Sequence, residues 1–515
     1  LKQITRANVG KLQTVWSWTL PDSSNEITPL VHDGVLFIAS GATVQALDAA
    51  TGNLLWQYVR PLPERLNGGR GGRTKSIAMH GEHLYVPTVD GHLVALEMRT
   101  GKLVWDQPIL PERAAGLALN GGPIVAAGHV IIGVSLGVQS GGGCYIVGLD
   151  AATGREQWRF DTIARPGSPG GDSWNGAPVD ERFGAGVWTT GSYDAELDLV
   201  YFGISNTYTS ATLLEPRAGA TGVTNNDALY TNSTVALRPA TGELAWHYQH
   251  HRGDVWDLDW VFEQTIATLP VNGRPRKLVI TGGKEAVFDA MDAATGQFVF
   301  ARDLGVQNIF LSIDPLTGEK QINPAIAPEV GVPKLVCPGN FGARNWPATA
   351  LNPGSGVLFV PIMETCSDYT YAPTTPEQWA KGGVDMRFVA RIAPGSDGNF
   401  GRLTAIDLAT GKILWAHRQR APFASAALAT AGGVVFGGDL DRYFAAWDQS
   451  NGKLLWRTRL SAAPESFPVS YAVNGRQYVA VVAGGGSVLA SLGRGLAPEL
   501  AVPTSGLTLM VFGLP

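Results

Sequence analysis

Three acids stand close together in HRGDVWDLDW, His251 to Trp260: Asp254, Asp257 and Asp259. A carboxylate within hydrogen-bond reach of a hydroxyl can take its proton, and oxygen ligands suit a hard cation. The plain alternative is a solvated acidic loop. Asn206 closes GVWTTGSYDAELDLVYFGISN, Gly186 to Asn206, and its amide oxygen is another hard ligand. In the same segment Trp188 is either a core aromatic or a flat surface for a planar ring system. Lys284, in ITGGKEAVFDAMD, can stabilise negative charge on a reduced group, or is a surface lysine in a turn.

Other chemistry is excluded early. The three cysteines, Cys144, Cys337 and Cys366, form no CxxC and no CxxCH. A four-thiolate zinc site and a covalent c-type haem are therefore ruled out. No strand–GxGxxG–helix unit for a dinucleotide is evident.

The elements that must position these residues show in the composition. The 515 residues include 64 Gly and 32 Pro, with only 16% charged. That is the profile of an all-β chain with many turns. A net charge of −5 argues against a nucleic-acid partner. No run reaches the roughly 18 apolar residues of a membrane helix. The opening LKQITRANVG does not read as a signal peptide and fixes no compartment.

One pattern recurs. The copies are ALDAATGNLLW (Ala46–Trp56), ALEMRTGKLVW (Ala95–Trp105), GLDAATGREQW (Gly148–Trp158) and ALRPATGELAW (Ala236–Trp246). They continue with AMDAATGQFVF (Ala290–Phe300), AIDLATGKILW (Ala405–Trp415) and AAWDQSNGKLLW (Ala445–Trp456). Each reads as a hairpin: a half-buried strand, a Thr-Gly or Asn-Gly turn with a positive φ, and a return strand closed by an aromatic. One unit is too small to bury its own face, so copies must stack, the closing Trp packing between sheets. GKLQTVW, Gly10–Trp16, supplies a return strand without its partner. The expectation is one eight-bladed β-propeller over residues 1–515, with tryptophan-docking repeats. The N-terminal strand closes the ring by pairing with the last blade, in which RQYVAVVAG, Arg476–Gly484, is a strand.

From these repeats onward the chain resembles the PQQ-dependent alcohol dehydrogenases, the methanol-dehydrogenase-like quinoproteins. Four motifs carry the resemblance. Gly186–Asn206 is similar to the family segment in which a Trp lies against the cofactor and the closing Asn binds the metal, here Trp188 and Asn206. His251–Trp260 is similar to the catalytic segment, whose Asp after Trp is the base, here Asp257. Lys284 fills the position that contacts the ortho-quinone oxygens. Gly342–Pro361 resembles the Gly-x-x-Asn-Trp cofactor motif, giving Asn345 and Trp346. Paired cysteines flank that motif in relatives, so a Cys337–Cys366 disulfide is implied, with Cys144 left over as buried and inert. Lys75 and Asn120 are further cofactor candidates. The resemblance implies a periplasmic enzyme that oxidises a primary or secondary alcohol, with PQQ taking the hydride. Electrons would then pass to a soluble cytochrome c or another external acceptor. A propeller scaffold for protein partners is the alternative.

Two departures stand out. Relatives of the methanol type cover one cofactor face with a disulfide between adjacent cysteines, but NGGRGGRTK, Asn67–Lys75, has no Cys. Relatives also place a Glu at the metal where alignment on Asp150 puts Gln139, and no acid lies between Glu112 and Asp150. Asp259 sits where lanthanide-dependent relatives carry an additional acid. Gln139 brings no charge and Asp257 and Asp259 one each, which equals the calcium-type total. The expected metal set is Gln139, Asn206, Asp257 and Asp259 around Ca²⁺, with a lanthanide as the alternative.

Overall fold

The computed structural model describes all residues except 22, 63–74, 112–115, 137–140, 208–226, 373–385, 501–502 and 504–505. Among the described residues the strands form eight four-stranded antiparallel sheets and three smaller ones. All seven sequence repeats are hairpins in these sheets. In the first, Thr43–Asp48 pairs with Leu54–Val59, and the register shifts by a bulge after Ala46, which faces Trp56.

The turn has a local cause. Asp48 Oδ1 accepts the amides of Ala50 and Thr51 and the Thr51 hydroxyl, while the Gly52 amide donates to Asp48 O. Gly52 has φ +79, which an L side chain resists. Asp150 and Asp292 repeat this arrangement.

The same glycine receives the closing Trp of another repeat. Trp16 lies against Gly52, Trp56 against Gly101, Trp158 against Gly242, Trp246 against Gly296 and Trp415 against Gly452. A Cβ on any of these glycines would come within 2.4–2.7 Å of the indole. Each indole Nε1–H then donates to a backbone carbonyl at 2.8–3.3 Å, for instance Trp158 to Pro239. One turn thus satisfies two needs, backbone conformation and docking.

The chain divides into two compact units. The first comprises Leu1–Asp106, Trp346–Glu364 and Pro394–Pro515 and holds five of the four-stranded sheets. In it the N-terminal strand Gln13–Leu20 pairs with Leu507–Gly513, which pairs in turn with Arg476–Gly484. The strand Leu507–Gly513 carries no repeat signature and was not expected from the sequence.

The second unit comprises Gln107–Asn345 and Thr365–Ala393, with three four-stranded sheets. It also contains a hairpin of Phe310–Ile313 with Lys320–Ile322, and a sheet of Lys334–Val336, Thr365–Tyr371 and Met386–Ile392. The Cys337–Cys366 disulfide lies in this insertion, and Cys144 is buried as a free thiol that burial pushes up to about 12. Among the described residues no helix is long and apolar enough to cross a membrane.

Candidate active site

The second unit holds three of the motifs whole and Gly342–Asn345 of the fourth. The segment before Trp188 and the one ending in Asn206 run side by side, residues 185–186 against 205–206. The Ala185 amide donates to Asn206 O at 2.8 Å, and the Ser205 amide to Gly186 O at 2.9 Å. Trp188 is only half-buried, and Phe262 meets it edge to face at 5.2 Å.

Asp254 shapes the acidic loop. Its carboxylate accepts the Trp256 amide at 2.8 Å, the Leu258 amide at 2.7 Å and Asn232 Nδ2 at 3.0 Å. The loop turns through Asp257 at φ +62, a conformation that a non-glycine residue holds only when its surroundings impose it. Asp254 is therefore structural. Asp257 and Asp259 are presented instead to Asn206 and Lys284.

The contacts are close. Lys284 Nζ donates to Asp257 Oδ1 at 3.0 Å and to Asp257 O at 2.8 Å, and pairs with Asp259 Oδ2 at 2.9 Å. Asn206 Nδ2 donates to Asp257 Oδ1 at 2.9 Å, and the Asn206 amide to Asp259 Oδ1 at 3.0 Å. Burial pushes the Asp257 carboxyl up to about 7. Lys284 opposes that rise, and the charges of Asp259 and Asp254 add to it. Burial alone would lower the Lys284 pKa, but Asp257 and Asp259 together raise it, so Lys284 is a fixed cation.

The Gly-x-x-Asn-Trp motif supports this lysine. The Ala343 amide donates to Lys284 O at 2.7 Å, and a Cβ on Gly342 would meet the Lys284 stem at 2.7 Å. Arg344 was missed in the sequence. Its guanidinium is buried, pairs with both oxygens of Glu263 at 2.6 Å and lies 4.4 Å from the Phe262 ring. It thereby braces the ring that carries Trp188. Asn345 Nδ2 donates to Phe341 O at 3.0 Å.

Other candidates lie elsewhere. The Asn120 amide donates to Ser135 Oγ at 3.3 Å. In the first unit Lys75 forms a buried ion pair with Glu26, a partner that no motif announced, and Trp346 packs 5.6 Å from Phe467. Gln139 and residues 67–74 of the Gly/Arg loop lie outside the described residues.

The donor chemistry fits an oxygen-seeking cation. Asn206 Oδ1 is buried and has no hydrogen-bond partner, a costly state for an amide oxygen that a cation would relieve. It stands beside the two carboxylates, Asp257 and Asp259. Among the described residues no cluster of three or more His, Cys, Asp or Glu suits a metal, so a cation here would draw on the amide as well as the two carboxylates. A half-buried indole and a fixed ammonium suit a planar, electron-accepting anion.

Comparison with known proteins agrees. The model of the PQQ glucose/ethanol/alcohol dehydrogenase β-propeller domain matches residues 1–303 and 316–479. Quinohemoprotein alcohol dehydrogenase ADH IIB of Pseudomonas putida is 33% identical over the whole chain and 75% of its own length. The 1-butanol dehydrogenase (cytochrome c) of Thauera butanivorans is 30% identical over 96% of the chain and 73% of its own. A europium-containing methanol dehydrogenase superposes with a TM-score of 0.89 at 25% identity, covering all of this chain and 95% of that one. The geometry of the acidic loop and these likenesses lead to one conclusion: the chain belongs to the PQQ-dependent glucose/ethanol/alcohol dehydrogenase family of β-propeller enzymes.

Proposed function

We propose that this enzyme oxidises a primary or secondary alcohol to the aldehyde or ketone in the periplasm and passes the electrons to a cytochrome c. The observation that carries the reading is the set of Asn206, Asp257, Asp259 and Lys284, buried except for the partly exposed Asp257 and held together at 2.8–3.0 Å. Bound there, PQQ would supply the hydride acceptor and Ca²⁺ the Lewis acid that polarises it.

The chain's own residues do the rest. Asp257 takes the hydroxyl proton of the alcohol at its carboxylate. Lys284 keeps that carboxylate aimed and stabilises negative charge developing on the acceptor. Trp188 forms the floor for the planar ring, with Phe262 and Arg344 holding the indole in place. Asn206 and Asp259 complete the oxygen shell, with Gln139 as a further ligand. Asn345, Trp346, Lys75 and Asn120 are read as further cofactor contacts. A single eight-bladed propeller over residues 1–515 is part of this reading, and the pairing of Gln13–Leu20 with Leu507–Gly513 supports its closure through the N-terminal strand. The 1-butanol dehydrogenase relative supports a cytochrome acceptor.

The test is reconstitution. Metal-free apo-protein should show no dye-linked alcohol oxidation, and PQQ with Ca²⁺ should restore it. NAD should not substitute. Full activity with NAD and no quinone would overturn the reading.

A further inference from the structure

We infer that Glu285 is a positioning residue that clasps both ends of the stretch His251–Trp260 and so holds Asp257 against Lys284. The inference rests on reading Asp257 as the base. Glu285 is fully buried, and a single oxygen, Oε1, accepts His251 Nδ1–H at 2.8 Å and Trp260 Nε1–H at 3.2 Å. His251 stands at the beginning of the acidic loop and Trp260 at its end.

The clasp and the lysine share one turn. Lys284 and Glu285 are consecutive residues in the turn closed by the Ala286 amide donating to Gly283 O at 3.0 Å, with Ala286 at φ +58. One side chain of the pair reaches Asp257 and Asp259, and the next reaches His251 and Trp260. The turn has no slack: a Cβ on Gly283 would fall 2.3 Å from both the Trp260 ring and Glu285 Oε2.

Trp260 is itself immobilised. Its ring stacks on His250 at 4.4 Å with 2° between the planes, and its amide donates to Asn232 Oδ1 at 3.3 Å. His250 Nδ1–H donates to Asp289 Oδ2 at 2.8 Å, and Lys320 Nζ reaches the same oxygen at 2.6 Å. Both histidine–carboxylate pairs are fully buried. A buried carboxylate left without its donors is costly, so these hydrogen bonds hold both imidazoles and the indole in place. What needs fixing here is Asp257, whose φ of +62 persists only under external constraint.

The test uses the full chain with Glu285→Ala, Glu285→Gln and Trp260→Phe. Amide hydrogen exchange is read on the cofactor-free protein at Trp256, Leu258 and Lys284, whose N–H groups are bonded in this loop and turn. Glu285→Ala should speed exchange there by at least about tenfold while strand Arg274–Gly282 is unchanged, as for local opening. With PQQ, Ca²⁺ and an alcohol, kcat should fall about 10- to 100-fold and KM change less than about threefold, the signature of a misplaced catalytic group. Glu285→Gln keeps an oxygen for both donors and should recover most of each loss. Unchanged exchange, near-normal kcat in Glu285→Ala, or Gln no better than Ala would overturn the inference. If Glu285→Ala does not fold, Trp260→Phe removes one arm of the clasp and must itself raise exchange, and no rise overturns the clasp. If the wild-type holoprotein oxidises no alcohol, the proposed function fails, and the exchange comparison still decides the clasp.

Discussion

The Tyr369 hydroxyl donates to the backbone carbonyl of Trp256 at 2.8 Å, so the strand that carries Cys366 also holds the residue before Asp257. Tyr371 on the same strand holds the Val255 carbonyl at 2.6 Å. The disulfide therefore buttresses the acidic loop as well as the insertion. Thiol counting under denaturing, non-reducing conditions should find one free thiol, Cys144. Cys366→Ser should lower stability by about 3–4 kcal/mol on the chain-entropy account. It should also lower kcat, whereas unaltered turnover would show that the loop does not depend on the insertion.

Asp257→Asn keeps the shape of the side chain and removes the proton acceptor. We expect kcat to fall at least ~10²-fold, the lower scale for loss of a general base, with PQQ affinity within a few-fold of wild type. Parallel measurement of turnover and of quinone binding by fluorescence titration separates the two. Near-normal kcat would remove Asp257 from the chemistry.

The metal site is expected to favour Ca²⁺ over a lanthanide. With Gln139 read as the ligand at the Glu position that the family resemblance implies, the shell has one carboxylate fewer, which penalises a trivalent ion more than a divalent one. Metal-free protein reconstituted with PQQ and either Ca²⁺ or La³⁺ at equal free concentration should be more active with Ca²⁺. Gln139→Glu should shift the preference toward La³⁺. An unshifted preference would place Gln139 away from the metal. Asn206→Ala should weaken Ca²⁺ binding, because it deletes the buried amide oxygen that lacks any other partner.

Docking at the turn glycines makes a paired prediction. Gly52→Ala forces a Cβ to 2.7 Å from the Trp16 ring on a backbone at φ +79. Gly81→Ala suffers only its φ of +57, with nothing within 4 Å of the new Cβ. Overpacking typically costs about 1–3 kcal/mol beyond the conformational term. Chemical denaturation should therefore rank Gly52→Ala clearly below Gly81→Ala, and equal losses would show that the indole gives way freely.

Glu465 predicts a pH dependence of stability. Burial pushes its carboxyl up to about 7, with Ser487, whose amide donates to its Oε2 at 2.7 Å, pulling the other way. The folded state thus holds this proton more tightly than the unfolded chain. The contribution is fully present below about pH 4, the unfolded carboxylate range, and is lost as pH rises through about 7. At about 1.4 kcal/mol per pKa unit the full loss is about 3.5 kcal/mol. Glu465→Gln keeps an acceptor for Ser487 without a titrating group. Its melting temperature should exceed that of wild type at pH 8 and converge with it at about pH 4. Parallel curves across that range would refute the assignment.

The hairpin repeats were legible in the sequence because their causes are local: an acid, a Thr-Gly and a closing Trp lie within a dozen residues of one another. Trp188, Asn206, Asp257 and Lys284 could be named as candidates for a similar reason, since each sits in a short motif. What only the tertiary structure decided is which partners each side chain meets. Three acids of one loop look alike in sequence, yet Asp254 caps the backbone while Asp257 and Asp259 face Lys284. Glu285 is an ordinary acid after a lysine until the fold brings it to His251 and Trp260. The strand Leu507–Gly513 has no repeat signature, and Glu26 carries no mark of Lys75. The physical reason is the same in each case. A turn is settled by neighbours along the chain, whereas a buried charge is settled by partners that only sheet register and packing bring within hydrogen-bond reach.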